Sequence, residues 1–369
     1  MEPFREKIVT ETIHIHQKVN IPMNKEIYNT EIKSIQNQIH ISENLDSVNS
    51  SLQANNWIFL HPYSQGGDIG VIQRMISESE NPNQEVIKFF ADKFFDLRGT
   101  IHFIEGFFNQ RPFLKDFTQN IREATILCLQ KDFKGAILVI IPVIEGTLRK
   151  YLISRKGEHK SNEIDIKELL KALNFLTDEY VLLQKEYLSS KYEMNIKEGT
   201  YMDSNQEKQI LKKHRYYFDL WMKQFKNFIE NNLYLNTKEN EVKDKLNRHL
   251  IFHGLEDDVE YSFENFLRLF NSISFLSWGI GGVDKECSVL SNIPENEVMS
   301  LYCDYINIFI LSEAMTKYKL NILDSKLIPF QTIISSTTIG VYERPIEEVK
   351  KILAWQEFLK DEKYCNVIN

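Results

Sequence analysis

Glycine and proline are scarce in this chain, with 14 and 9 residues among 369, roughly half of average usage. A fold of many short strands needs tight turns built on those residues, so a sheet-rich architecture is disfavoured. Cysteine is also sparse. Cys128, Cys287, Cys303 and Cys365 lie far apart with no C-x-x-C pairing, a spacing poor for zinc and no basis for a disulfide framework. The opening MEPFREKIVTETIHIHQ lacks the apolar centre of a signal peptide. The longest apolar run, Ala136 to Ile144, is too short to span a bilayer and carries Pro142. An excess of positive charge is missing too: the formal net charge is -8, so the molecule as a whole repels nucleic acid. Binding to such a polymer would need a local basic surface and would weaken with salt. A cytoplasmic chain without a membrane segment is expected.

What is present is bulk and helical periodicity. Hydrophobic residues make up 43% of the chain, and 24 Phe with 16 Tyr supply large groves of helix–helix packing surface. The expectation is an all-α protein. Residues 1–75 read as an irregular N-terminal region, with a short strand around Ile13–Ile21, a polar loop or solvated helix over SIQNQIHISENLDSVNSSLQANN, and a turn cluster at HPYSQGGDIG. Residues 76–287 read as a helical core. Within it, Pro82 suits a first helical turn, and helices follow near Thr100–Asn109, Pro112–Gln130 and Lys134–Arg155. The last of these is apolar nearly all round its first half, which places it centrally, and Pro142 predicts a kink. Two shorter helices are expected at Ile164–Leu176 and Tyr180–Lys191, a long one at Glu207–Asn232, another at Glu239–His253, and one at Glu260–Trp278 stopped by Gly279, Gly281 and Gly282. Residues 288–369 read as a C-terminal extension with a helix at Glu295–Tyr318, an extended arm near Ile328–Tyr342 and a final helix at Ile346–Leu359.

The segment with chemical content is Asn247-Arg248-His249-Leu250-Ile251-Phe252-His253-Gly254. Arg248 supplies a permanent cation and His253 an imidazole that titrates near neutrality, one to stabilise charge and one to move a proton. They stand five positions apart, about 140° around an ideal helix at ~100° per residue, so they flank a groove. This pattern resembles the HEPN family, whose ribonucleases carry R-x4-6-H on a core helix, often with Gly following. Arg248, His253 and Gly254 match; His249 occupies the position that is most often Asn, which leaves its role open. The resemblance covers about eight residues. It implies a helical bundle of HEPN type that dimerises so that two motifs face each other, and a metal-independent, cofactor-free endoribonuclease, commonly a toxin with an antitoxin partner or an anti-phage effector. On that model His253 takes the proton of the ribose 2′-OH, a second His253 protonates the leaving 5′-oxygen, and Arg248 stabilises the phosphorane, giving 2′,3′-cyclic phosphate ends. In that family an acidic or polar residue on an earlier helix often accompanies the pair, and Glu145 in IIPVIEGTLRKYL is the candidate here.

Each of these residues has a plainer reading. His253 before Gly254 is a good helix end, and Asp244 can pair with Arg248 at the surface. Glu145 either meets Arg248 as a buried partner or pairs with Arg149 at i+4. His249 and His253 can share a metal ion, with Asp257 or Asp258 as a third ligand, although Leu250 stands where the H-E-x-x-H pattern requires Glu. The candidate substrate contacts are Asn247 beside the motif, Lys212, Lys213 and Arg215 in KKHRYYF, and Arg149 in a second basic cluster with Lys150, Arg155, Lys156 and Lys160. Such runs are also ordinary solvated helix faces. His14-x-His16 is a weak pair, and Gly66-Gly67-Asp68-Ile69-Gly70 lacks the Lys of a phosphate loop. The rival to a nuclease is a catalytically silent helical protein that holds a nucleotide, a nucleic acid or a partner.

Overall fold

A computed structural model describes residues 25–53, 66–156, 166–197, 204–235, 246–252, 260–284 and 293–323. Among them every regular element is helical, and the protein is all-α. The strand expected near Ile13–Ile21, the arm at Ile328–Tyr342 and the helix at Ile346–Leu359 lie outside the described residues. The helices are α1 (Lys25–Gln53), α2 (Gly66–Glu78), α3 (Pro82–Phe94), α4 (Leu97–Ile101), α5 (Thr118–Leu129), α6 (Phe133–Lys156), α7 (Ile166–Lys197), α8 (Ser204–Phe228), α9 (Arg248–Phe252), α10 (Phe263–Gly281) and α11 (Glu295–Leu323). Two of them run on into π-helical turns, α4 at His102–Phe107 and α8 at Ile229–Leu233. None of the described helices is long and apolar enough to cross a membrane.

Contacts divide the chain into two compact units that do not follow linear order, one from residues 1–46 with 174–223 and the other from 47–173 with 224–369. In the first, α7 and α8 run antiparallel. Thr177 Oγ1 donates to Asp219 Oδ1 at 3.1 Å, Arg215 pairs with Asp178, and the Tyr180 ring stacks on Phe218 with centroids 4.4 Å apart. Helix α1 buries Ile35, Ile39 and Ser42, spaced at i, i+4 and i+7, and Tyr28 donates to Gln209 at 2.6 Å. The polar stretch expected as loop or solvated helix is therefore a helix with a narrow buried stripe. Sparse isoleucines among Asn, Gln and Ser hid that stripe. Of the HPYSQGGDIG turn cluster, Gly66 to Gly70 open α2, and residues 61–65 lie outside the described residues.

The second unit is built round α6 and α10. Helix α6 buries Ile137, Ile140, Ile141, Ile144, Leu148 and Tyr151, and runs through Pro142 with that residue exposed. Helix α10 is buried on nearly every side, from Phe263 to Ile280. Such a helix must satisfy its polar side chains internally. Ser272 donates to the Arg268 carbonyl at 2.9 Å, Ser274 to the Phe270 carbonyl at 3.2 Å, and Arg268 to Asn265 at 3.0 Å. Aromatic edges fix its register: the Phe95 ring meets Phe263, Phe266 and Phe270, with centroids 5.2 to 5.7 Å away. Helix α10 runs three residues beyond the expected Trp278 and ends within the glycine group, at Gly281, with the Gly282 N–H reaching the Trp278 carbonyl at 2.8 Å. Gly281 also provides room, because a Cβ there would lie 2.7 Å from the buried Arg111 guanidinium carbon. The positive end of Arg111 thus sits at the carbonyl end of α10, where the helix dipole favours a cation.

Two further expectations are corrected. The two short helices at Ile164–Leu176 and Tyr180–Lys191 are one, α7, because Thr177 is buried and bonded to α8 and does not break the chain. The helix expected from Glu239 is described only from Arg248, since Leu246 and Asn247 are not helical.

Close packing of α6 against the segment leading into α5 makes a simple test. A Cβ on Gly146 would fall 2.4 Å from Phe117 Cζ, whereas one on Gly70 in α2 would meet nothing within 4 Å. Gly146→Ala should therefore lower unfolding free energy by about 1–3 kcal/mol. Gly70→Ala should raise it by about 0.5–1 kcal/mol through helix propensity. Urea titration of both variants checks the contrast.

Candidate functional site

The described part of the sequence motif begins at the start of α9, and one side chain determines that start. Asn247 is fully buried. Its Oδ1 accepts from the backbone N–H of His249 at 2.9 Å and of Leu250 at 3.3 Å, the pattern of a helix N-cap. Its Nδ2 donates to the carbonyls of Asn232 at 3.2 Å and Leu235 at 3.1 Å. An amide offers two donor protons and two acceptor lone pairs, and all four are engaged. Asn247, expected as a substrate contact, is placed here as the clip that joins α9 to the chain leaving α8.

Arg248 is the first residue of α9, and its side chain is 39% exposed. Its Nε lies 2.9 Å from Glu145 Oε2 on α6, a close ionic contact that is not aligned as a hydrogen bond. The guanidinium carbon sits over two rings, 5.5 Å from the Tyr234 centroid and 5.4 Å from that of Phe252. Glu145 is more enclosed, with 14% of its side chain exposed. Its Oε1 takes Arg149 Nη2 at 2.6 Å, one helical turn along α6, and its Oε2 accepts from the Tyr234 hydroxyl at 2.8 Å. The two readings of Glu145 are thus not exclusive, because the carboxylate meets Arg248 and Arg149 at once.

The electrostatics follow from this crowding. Burial works to raise the Glu145 pKa, but the Tyr234 hydrogen bond and the charges of Arg248 and Arg149 outweigh it and hold the carboxyl below its ordinary value. Tyr234 moves the other way. Burial, then the charge and hydrogen bond of Glu145, push its phenol upward, so it stays a protonated donor. One carboxylate against two guanidiniums leaves a local charge of +1, in a chain whose net charge is -8. The Arg248 contact uses Nε, and among the described residues no partner takes its Nη groups.

The other expected residues are distributed differently. His249 is exposed on α9. Lys212, Lys213 and Arg215 lie on α8 within the first unit, where Lys212 and Arg215 are exposed and Arg215 pairs with Asp178. The aromatics between them divide: Phe218 is buried, whereas Tyr216 is exposed and donates to Glu43 at 3.1 Å. Burial lowers the His214 pKa against the opposing charge of Glu31, so the positive charge of this run comes from its Lys and Arg. In the second basic cluster Lys150 pairs with Asp116 at 2.7 Å, and Arg155 lies over the Tyr151 ring at 5.3 Å. His253, Gly254, Asp244, Asp257, Asp258, Lys160, His14 and His16, together with the Lys156 side chain, fall outside the described residues. Among the described residues no group of three or more His, Cys, Asp or Glu is arranged to hold a metal ion.

Tyr234 was not visible as a site residue from sequence. It stands 89 positions from Glu145, and only the fold brings them together. Its one sequence signal is an aromatic just beyond the end of a long amphipathic helix. Comparison with protein-family models, curated proteins and solved structures finds no match to this chain.

The depressed Glu145 pKa sets the direction of a pH test. A carboxyl held lower in the folded state contributes stability above the ordinary carboxylate range, and loses it as pH falls through the folded value. Wild type should exceed Glu145→Gln in unfolding free energy at neutral pH, and the gap should narrow steadily on acidification. Urea midpoints measured across acid to neutral pH check this, and a pH-independent gap would refute it.

Proposed function

We propose that the chain is a metal-independent endoribonuclease that cleaves by attack of the ribose 2′-OH on the adjacent phosphate. The observation that carries this reading is Arg248, the arginine of the R-x4-H motif. It is held half-exposed on an enclosed carboxylate, with a second guanidinium on the same carboxylate and a net positive charge around it. A guanidinium already tethered at Nε loses little further freedom on engaging a phosphoryl oxygen. That is the preorganisation that favours a transition state in which negative charge grows.

In this mechanism Arg248 binds the non-bridging oxygens of the scissile phosphate. His253, five residues further along, takes the 2′-OH proton as general base. A second imidazole returns a proton to the 5′-oxygen, so that the bond to phosphorus breaks and leaves a 2′,3′-cyclic phosphate and a 5′-hydroxyl. One chain carries one such motif, so the second imidazole comes from a second copy in a homodimer. Glu145 does not touch the reacting atoms in this scheme; it holds Arg248. A role as a toxin or anti-phage effector, with an antitoxin or sensor partner in the cytoplasm, belongs to the same reading.

The Glu145–Arg248 pair also favours a second reading, in which it serves only to tie α9 to α6 in a silent binding protein. Removing one partner of such a pair is itself destabilising. Cleavage must therefore be judged on variants that remain folded. Purified protein incubated with RNA in EDTA should yield cyclic-phosphate ends. Arg248→Ala and His253→Ala should each reduce the rate by at least about 100-fold, with circular dichroism confirming the fold. Cleavage that requires added divalent ion, or that survives both substitutions, would overturn the nuclease assignment.

A further inference from the structure

We infer that Tyr234 is a positioning residue of this site, fixing the Arg248 guanidinium for a phosphodiester through its ring and its hydroxyl together. The inference rests on the nuclease reading and assigns a role to a residue outside the sequence motif. The ring lies under the Arg248 guanidinium with a carbon-to-centroid distance of 5.5 Å, while the hydroxyl donates at 2.8 Å to Glu145 Oε2. That same oxygen faces Arg248 Nε at 2.9 Å. One side chain therefore acts on one cation by two routes, directly through the ring face and indirectly through the carboxylate.

The backbone around Tyr234 is built for this. Helix α8 widens into the π-helical turn Ile229–Leu233, and the Tyr234 N–H closes it on the Ile229 carbonyl at 2.9 Å. Ile229 and Leu233 are buried and anchor the turn. A π turn carries one extra residue per closure, which changes the direction of whatever follows it. Asn247 then grips the carbonyls of Asn232 and Leu235, on either side of Tyr234, with the same amide that caps α9. Tyr234 and Arg248 are thus referenced to a single fixed side chain. A shift of either would break hydrogen bonds that a buried amide cannot replace from solvent.

The chemistry selects tyrosine. Phenylalanine would keep the ring and lose the donor, and leucine would lose both. With the donor gone, Oε2 would be left to Arg248 alone, and the carboxyl would lose a contact that favours its charged form. The carboxylate would then hold the guanidinium less firmly, mainly at acid pH.

Tyr234→Phe separates these contributions with little change in packing. Glu145 titrated by carbon NMR should show a higher pKa in the variant than in wild type. Multiple-turnover cleavage of a short RNA should show kcat reduced on the order of tenfold, as expected for losing a hydrogen bond to a charged group, with KM nearly unchanged. The acid limb of the rate–pH profile should move to higher pH. Tyr234→Leu should lose more rate than Tyr234→Phe. If wild type cleaves RNA and Tyr234→Phe matches it in kcat and pH profile, the positioning role is overturned and the nuclease reading stands. If wild type does not cleave, the nuclease reading fails, and with it the phosphodiester part of the inference. Hydrogen exchange of the Arg248 Nε–H then decides what is left: faster exchange in Tyr234→Phe supports positioning of the guanidinium, and equal exchange refutes it.

Discussion

An enclosed carboxylate with two guanidiniums and a phenol arranged on its two oxygens is the constraint from which the rest of the site follows. Removing a carboxylate from water costs several kcal/mol, and Glu145 recovers that only because every neighbour supplies positive charge or a donor. The residues concerned come from three stretches of chain: Glu145 and Arg149 from α6, Tyr234 from the end of α8, and Arg248 from the start of α9. Satisfying one carboxyl group thus brings three pieces of backbone into register. The same ionic contact that stabilises the fold also sets the orientation of the cation proposed to meet substrate.

Asn247 adds the geometric half of the argument. Charge alone permits many orientations of a long side chain, and a surface arginine samples them freely. Here the backbone of Arg248 is fixed by a cap, and its head is bracketed by two aromatic rings. A short helix of five residues would be marginal by itself. It persists because Leu250 and Ile251 are buried beneath it and Asn247 ties its first turn to Asn232 and Leu235. Position is supplied by hydrogen bonds, and the excess of one positive charge is held at that position.

Much of the fold was legible from sequence because its signals are local. Low glycine and proline, with aromatics at helical spacing, pointed to an all-α chain. The apolar run from Ala136 to Ile144 identified α6 as central, and most of that run is buried. What escaped reading was non-local or weakly patterned. Thr177-Asp178-Glu179 looks like a break, yet Thr177 finds Asp219 on the neighbouring helix and α7 continues. The buried residues of α1, Ile35, Ile39, Ser42, Val48, Asn49 and Leu52, are spread thinly among polar ones, below what a periodicity argument detects. At the site, Arg248 and Glu145 were separately conspicuous, as a motif residue and as an acid beside an apolar face. Tyr234 and the structural task of Asn247 were not, because the first depends on the end of α8 meeting α6 and the second on the chain folding back onto the end of α8. No window of sequence contains that return.

The charge balance of the site also bears on why a single carboxylate should sit among these arginines at all. Two guanidiniums with no acid between them would bind phosphate strongly but repel each other, and would hold substrate and product alike. Glu145 cancels one of the two charges and fixes the direction of the other. What remains is a single oriented cation, which in the proposed mechanism is weak enough in the ground state to release the cyclic phosphate product. In that mechanism it becomes most effective when extra negative charge develops on phosphorus. A neutral glutamine at position 145 would leave both arginines and remove the counterweight. In the proposed nuclease, ground-state binding of RNA would tighten while orientation was lost, the opposite of what loss of a simple salt bridge does to a purely structural site.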